Sequence, residues 1–310
     1  YNSPHFRSYW IHRNRAELQP FSATISDLDR QAAQWTERRV LIRKQAATPT
    51  PVNAALWPPL LRAVPASAGL YRAWLQPDAN FTAALLVQKF FNPTPGSGPY
   101  VERAPSIAGV SEAGGESDWN DRIDEAPFVP GDTRPDSARL AQYLSRAQLT
   151  GVVQIQGTRD SPGNVWIHQD TGLVLTRTGN WNASEIQNEL AQLGPATVQL
   201  AVDGNRLLLA STPALLASMR TDTANPAPGN NAQFTGVFRH RLERDRFTRW
   251  MERIGQPTYV APAQGQQRQP QFLGDVIGSL SQSLRNVAEQ TVTTADNGDR
   301  LNQSIVYRLQ

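Results

Sequence analysis

Apolar positions recur at helical spacing in some segments of the chain and alternate with polar positions in others. Residues 26–43 begin with a Ser26/Asp29 capping pattern, and apolar residues then follow three or four positions apart, which predicts a helix. Pro58-Pro59 predicts the start of a short helix, because proline is tolerated in a first helical turn. The apolar run over residues 81–91 predicts a strand. Residues 1–91 are therefore expected to form a helical or mixed region.

Local signals become stronger after residue 136. Asp136 predicts the N-terminus of a helix whose apolar side lies at positions 140, 143, 144 and 147. Residues 152–155 predict a strand. Residues 165–168 and 173–175 predict the two arms of a hairpin that turns at 169–172.

Capping and turn residues organise the rest of the chain. Asn182 with Glu185 predicts a second capped helix. A turn at Asp203-Gly204 joins predicted strands at 197–202 and 206–210. Thr212 followed by proline predicts a short helix. The remaining predicted elements are a strand at 234–238, helices at 242–254 and 273–287, and a closing hairpin, 290–295 with 301–309, around Asn297-Gly298.

The order helix, strand, glycine turn, strand occurs twice in this half of the chain, and it predicts the fold class. We expect an α+β protein with antiparallel sheets and helices packed on one face, built from α-β-hairpin units. With 23 prolines and 21 glycines in the sequence, long Pro/Gly-rich loops are expected to join these units.

Residues 92–136 interrupt the pattern, since they have no hydrophobic periodicity and carry nine acidic residues against three arginines. A structureless segment of this length is uncommon inside a compact domain. We therefore expect an acidic ordered loop or linker here, between the N-terminal region 1–91 and a C-terminal α+β domain at 137–310.

Composition limits the chemistry of the 310-residue chain. It contains no cysteine, which excludes disulfides, thiolate metal sites and cysteine nucleophiles. No apolar run reaches the roughly 18 residues that a membrane-spanning helix needs. All basic residues except Lys44 and Lys89 are arginines, whose planar guanidinium groups pair with carboxylates and stack on aromatic rings.

An N-terminal arm mixes arginines with aromatic residues, and both types are enriched at the energetic centres of protein interfaces. The expected protein-binding residues are Phe6, Arg7, Tyr9, Trp10, Arg13 and Arg15 in the arm and Trp119 in the acidic segment. A net charge of +3 is small for a nucleic-acid-binding protein. The expected partners are therefore other protein subunits or a second copy of the chain, while peripheral membrane contact stays open.

No catalytic or metal-binding motif stands out. His168 and Asp170 would share one face of a continuous strand, but a metal site needs a third ligand that the sequence does not indicate. Ser111 lies in a loose nucleophile-elbow pattern that ends in Ala113 in place of glycine. No metal and no cofactor are expected.

These observations favour a non-enzymatic accessory or scaffold subunit that binds other proteins. The repeated helix–hairpin pattern resembles that of exported bacterial proteins, which implies an extracytoplasmic location in the periplasm or at the cell surface. Two alternatives stay open. One is a hydrolase whose site is built from loops, with His168, Asp170 or the acidic segment. The other is a small-ligand or lipid carrier with an apolar cavity under the sheet.

Overall fold

Within the described residues, one antiparallel sheet of ten strands organises the protein, an α+β fold. The computed structural model describes residues 20–49, 51–91, 137–160, 167–194, 198–229, 231–243 and 286–310. The strand order across the sheet is β1-β2-β10-β9-β8-β3-β4-β5-β7-β6. The strands are β1 (Phe21–Arg30), β2 (Gln34–Arg43), β3 (Leu70–Leu75), β4 (Leu149–Asp160), β5 (Ile167–Arg177), β6 (Gln199–Asp203), β7 (Arg206–Ala210), β8 (Phe234–Phe238), β9 (Val287–Asp296) and β10 (Arg300–Leu309).

Five α-helices lie within the described ranges, and their capping residues fix several boundaries. They are α1 (Trp57–Leu61), α2 (Ala79–Phe90), α3 (Ser137–Arg146), α4 (Ala183–Ala191) and α5 (Pro213–Met219), and a 3₁₀ turn, Ala54–Leu56, precedes α1. Asn182 accepts hydrogen bonds from the backbone of Ser184 and Glu185, and Thr212 accepts one from Leu215, so the predicted N-caps of α4 and α5 are confirmed. None of the described helices is long and apolar enough to cross a membrane.

The helices pack on both faces of the sheet, so the expectation of helices on one face is wrong. Alternate residues of β4 show the division. Val152 packs with α2, α3 and α4 on what we call the first face, and Val153 packs with α1 and α5 on the second face. A strand buried on both sides contains continuous apolar residues, as the run Leu207, Leu208, Leu209 in β7 does.

Strands from both ends of the sequence share the sheet. β1, β2 and β3 precede residue 92, yet β2 pairs with β10, and β3 lies between β8 and β4. Residues 92–136 lie outside the described ranges, so an acidic ordered loop or linker there stays a prediction.

Two predicted elements have the wrong type. The helix expected at 26–43 is a β-hairpin, β1 and β2, whose register runs from Arg30 opposite Trp35 to Ala23 opposite Ile42. The strand expected at 81–91 belongs to helix α2. Asp78 begins that helix, because its carboxylate accepts hydrogen bonds from the backbone of Asn80 (2.9 Å) and Phe81 (3.0 Å).

The hairpin predicted within residues 165–175 is also wrong, because β5 runs without a turn through Gly172, which lies opposite Ile155 of β4. The closing hairpin around Asn297-Gly298 is confirmed as β9 and β10. Of the helix predicted at 273–287, Val287 is the first residue of β9, and positions 273–285 lie outside the described ranges. The helix predicted at 242–254 lies mostly outside them as well, although 240–243 are helical. The α-β-hairpin units and the Pro/Gly-rich loops stay predictions.

Candidate functional site

The β1–β2 hairpin forms one edge of the sheet and exposes a concentration of large apolar side chains. The described residues include six exposed large hydrophobic side chains, and four of them lie on this hairpin. Ile25 is the most exposed at 61%, followed by Leu28 at 47%, Trp35 at 39% and Ile42 at 37%. We call these four residues the hairpin apolar set. Single exposed apolar residues are ordinary, whereas contiguous exposed apolar patches are typical of contact surfaces.

The hairpin apolar set is divided between the two faces of the sheet. Ile25 lies opposite Val40, next to Ala23 opposite Ile42, so Ile25 and Ile42 are diagonal neighbours on the second face. Leu28 lies opposite Glu37 and next to the pair Arg30–Trp35. Leu28 and Trp35 are therefore diagonal neighbours on the first face. Each face of the hairpin thus presents one apolar pair.

Arginines frame both apolar pairs. The guanidinium of Arg30 lies over the Trp35 ring, 5.5 Å from its centroid, which is within cation–π range. Arg38 Nη1 lies 3.2 Å from Asp27 Oδ2 across the hairpin, and Arg39 Nε lies 2.5 Å from Glu37 Oε1. Charges on the hairpin are therefore largely balanced within it. Such exposed pairs stabilise a fold by about 1 kcal/mol or less, so their main effect here is to hold side-chain positions.

The hairpin is fixed to the body of the sheet through β10. Arg43 Nη2 lies 2.6 Å from Asp296 Oδ2, and both side chains are largely buried. The backbone N–H of Ala47 donates to Gly298 O at 2.9 Å, which fastens the chain leaving β2 to the β9–β10 turn.

Tyr307 of β10 lies opposite Trp35 on the first face. Burial and the Glu37 carboxylate raise the pKa of Tyr307, while Arg39 lowers it, so the phenol stays protonated. The exposed apolar side chains of the hairpin therefore lie on strands that are held in place by pairing with β10.

An aromatic cluster on the first face joins the core to the strands that lead towards the hairpin. The Trp74 ring lies 5.1 Å from that of Phe81 in an edge-on arrangement and 5.3 Å from that of Phe234. Phe81 is 41% exposed although it belongs to helix α2. The cluster therefore leaves part of its aromatic surface in contact with solvent.

A partly buried polar cluster is built around Arg239, directly after β8. Its Nη1 lies within hydrogen-bonding distance of three carbonyl oxygens, those of Pro65 (3.1 Å), Ala66 (3.1 Å) and Ala68 (2.9 Å). Its Nη2 donates to Asn225 Oδ1 at 2.9 Å. Because the guanidinium is bonded to backbone oxygens, this cluster holds the loop before β3 in place.

The residues of the predicted loop-built site lie largely outside what the structure describes, so that site stays a prediction. His168 and Asp170 lie two positions apart on β5, as expected for one face of a strand, but the side chain of His168 lies outside what the structure describes. Among the described residues, no group of three or more His, Asp or Glu side chains could hold a metal ion.

The predicted binding residues Phe6, Arg7, Tyr9, Trp10, Arg13, Arg15 and Trp119 lie outside the described ranges, and so does Ser111. The hairpin apolar set was missed because residues 26–43 were assigned to a helix. The signal that could have revealed the hairpin is the polar and apolar alternation of Thr24, Ile25 and Ser26, which continues poorly beyond Asp27.

Comparison with known proteins adds no relative. No protein-family model matches the chain, and no curated protein and no solved structure matches it either.

Proposed function

We propose that this chain is a non-enzymatic accessory or scaffold subunit that holds another protein chain on its β1–β2 hairpin. The observation that carries the proposal is the concentration of exposed apolar side chains there, four of the six found in the described residues. Apolar surface in contact with water is costly at about 25 cal/mol per Å², and a partner that covers it recovers this free energy.

The length of the edge strand also supports a partner. β1 is ten residues long and forms one end of the strand order. An edge strand offers a row of backbone donors and acceptors to any added strand, and native proteins usually keep such edges short or charged. At the opposite end of the sheet, β6 has five residues. The contrast favours β1 as the edge that serves strand addition, a recurrent mode of protein recognition.

The pairing of β2 with β10 holds the hairpin in place, which suits it to binding another chain. The β2–β10 ladder pairs nine residues from Arg300 opposite Ile42 to Arg308 opposite Gln34, without a break in register. The Arg43–Asp296 ion pair lies at the same end of that ladder as Ile42. A surface that is already ordered loses little conformational entropy on association, so more of the contact energy appears as affinity.

Photo-crosslinking in the cells that produce the protein tests the proposal. A benzoylphenylalanine residue replaces Ile25 or Leu28 in the full chain, and the same residue replaces Gln187, which is exposed on α4, as the matched control. The proposal predicts a discrete adduct from positions 25 and 28 and none from position 187. Absence of an adduct at both hairpin positions, or equal labelling at all three, contradicts it.

An extracytoplasmic location belongs to the same proposal, in the periplasm or at the cell surface. The cysteine-free composition suits an oxidising compartment, because it leaves no thiol to react there. Fractionation of cells that carry the tagged chain tests this location, and recovery of the chain with the cytosolic proteins contradicts it.

A further inference from the structure

The hydrogen-bonding pattern of the β1–β2 hairpin defines which backbone N–H and C=O groups of β1 point away from β2. Gln31 N donates to Gln34 O at 2.8 Å and Gln34 N donates to Gln31 O at 3.4 Å, so these two residues form a hydrogen-bonded pair. Such pairs alternate with non-hydrogen-bonded pairs along an antiparallel ladder. The register is regular from Arg30 to Thr24, so the N–H and C=O groups of Thr24, Ser26 and Leu28 point away from β2.

We propose that a second copy of this chain adds to β1, so that two β1 strands pair antiparallel about a two-fold axis at Ile25. This inference rests on the proposed function, because it names the partner of the same hairpin. A two-fold axis normal to the sheet requires residues of the same face to lie opposite each other. The two-fold axis must therefore pass beside one residue of β1, which then lies opposite its own copy. The possible registers differ in which residue this is, and they can be compared by the side chains that they place opposite each other.

The register centred on Ile25 is self-complementary. It places the most exposed large hydrophobic side chain of the described residues, Ile25, opposite its own copy. It also places Thr24 opposite Ser26 on both sides of the axis, and hydroxyl pairs of this kind stabilise neighbouring strands. Asp27 lies opposite Ala23, and its carboxylate is already paired with Arg38 of its own chain. No two acidic side chains oppose each other in this register.

The neighbouring registers are less favourable. Centring on Ser26 places Ile25 opposite Asp27 and Ala23 opposite Asp29, so apolar side chains are covered by carboxylates. Centring on Asp27 places that carboxylate opposite its own copy, and like charges directly opposite each other destabilise a strand pair. The charges of β1 therefore disfavour the registers centred on Ser26 and Asp27. The contact of Ile25 with its own copy favours the register centred on Ile25 over one centred on Thr24, where Ile25 would lie opposite Ala23.

Single introduced cysteines test both the partner and the register. The chain has no cysteine, so each variant carries one thiol. The backbone groups of Ile25 point towards β2, so Ile25 and its copy would form a non-hydrogen-bonded pair. The Cα atoms of such a pair lie about 4.5 Å apart, a distance that a disulfide can bridge. Ile25→Cys is therefore expected to form a covalent dimer on mild oxidation. Ala23→Cys places its two thiols four residues apart along the strands, roughly 13 Å, and is expected to form no disulfide-linked dimer.

Ser26→Cys and Gln187→Cys complete the set as controls for a shifted register and for random collision. Light scattering on the unmodified chain is expected to give the mass of a dimer, and Ile25→Lys is expected to give that of a monomer with an unchanged circular dichroism spectrum. A larger yield of disulfide-linked dimer from Ser26→Cys than from Ile25→Cys overturns the register centred on Ile25. A monomeric unmodified chain with no Ile25→Cys dimer overturns the second copy as partner. In that case, a photo-adduct at position 25 with a different protein would leave the proposed function standing.

Discussion

The guanidinium of Arg239 lies over the ring of Tyr71, 5.7 Å from its centroid, and joins β8 to the start of β3. Tyr71 is fully buried on the second face, where Val237 of β8 lies opposite it. The same guanidinium is bonded to the backbone of the loop before β3 and lies 3.8 Å from a carboxylate oxygen of Glu289. Arg239 therefore ties three parts of the fold together on the face opposite α2, α3 and α4.

Replacing Arg239 by lysine is expected to destabilise the fold. The lysine ammonium cannot reproduce the fork that reaches the Pro65 and Ala68 carbonyl oxygens and Asn225 together, and each buried polar group left unpaired costs about 1–3 kcal/mol. Urea unfolding measures the change. Arg38→Lys is the matched control, because Arg38 is exposed and a change of less than about 0.5 kcal/mol is expected there. Equal effects of the two substitutions would contradict this role of Arg239.

Burial raises the pKa of Tyr71 to about 12, against the opposing effect of the nearby Arg239 charge. The unfolded chain ionises this phenol near its ordinary pKa of about 10, while the folded chain retains the proton. The Tyr71 contribution is therefore fully present below pH 10 and is lost as pH rises from about 10 to 12, by roughly 2–3 kcal/mol in total. Urea unfolding across this range, compared with Tyr71→Phe, isolates the contribution, and equal slopes for the two proteins would contradict it.

Gly298 is expected to tolerate no side chain. Its φ is +86°, and a Cβ there would lie 2.4 Å from the carbonyl oxygen of Ala47. Gly298→Ala should therefore lower the free energy of unfolding by about 1–3 kcal/mol. Gly157→Ala, where a Cβ meets nothing within 4 Å, serves as the control and should change stability little. Thermal unfolding of both variants measures the difference, and similar melting temperatures would contradict the strain at the β9–β10 turn.

Sequence patterns predicted the elements whose signals are local. The Asn297-Gly298 hairpin was found because glycine supplies the positive φ that its turn requires. Helices α4 and α5 were found because Asn182 and Thr212 are effective N-caps that act within three residues of themselves. These elements need no information from distant parts of the chain.

Elements decided by distant pairing were missed. The turn between β1 and β2 contains Gln31, Ala32 and Ala33, which are good helix formers and include no glycine. What makes the segment a hairpin is the β2–β10 ladder, where Trp35 lies opposite Tyr307, far away in the sequence. Tertiary context overrides local propensity in such cases.

The apolar run in α2 was assigned to a strand because a short apolar run does not distinguish a buried strand from a buried helix. Asp78 was the missed signal, since an acidic residue that follows a proline and precedes the run marks a helix N-terminus. The candidate site was missed for a related reason. A surface made of two neighbouring strands becomes visible only after their pairing is known.

The charge variants of the hairpin test the central claim that the β1–β2 hairpin is a protein-docking surface. Ile25→Lys/Leu28→Lys places one charge on each face of the hairpin, and Gln187→Lys/Asn188→Lys adds the same charge to an exposed part of α4. The measurement is the size of the complex that contains the tagged full chain, after gentle lysis of the producing cells. We expect the unmodified chain and the α4 variant in a complex larger than one chain and the hairpin variant as a folded monomer. A hairpin variant that keeps the complex of the unmodified chain would contradict the account.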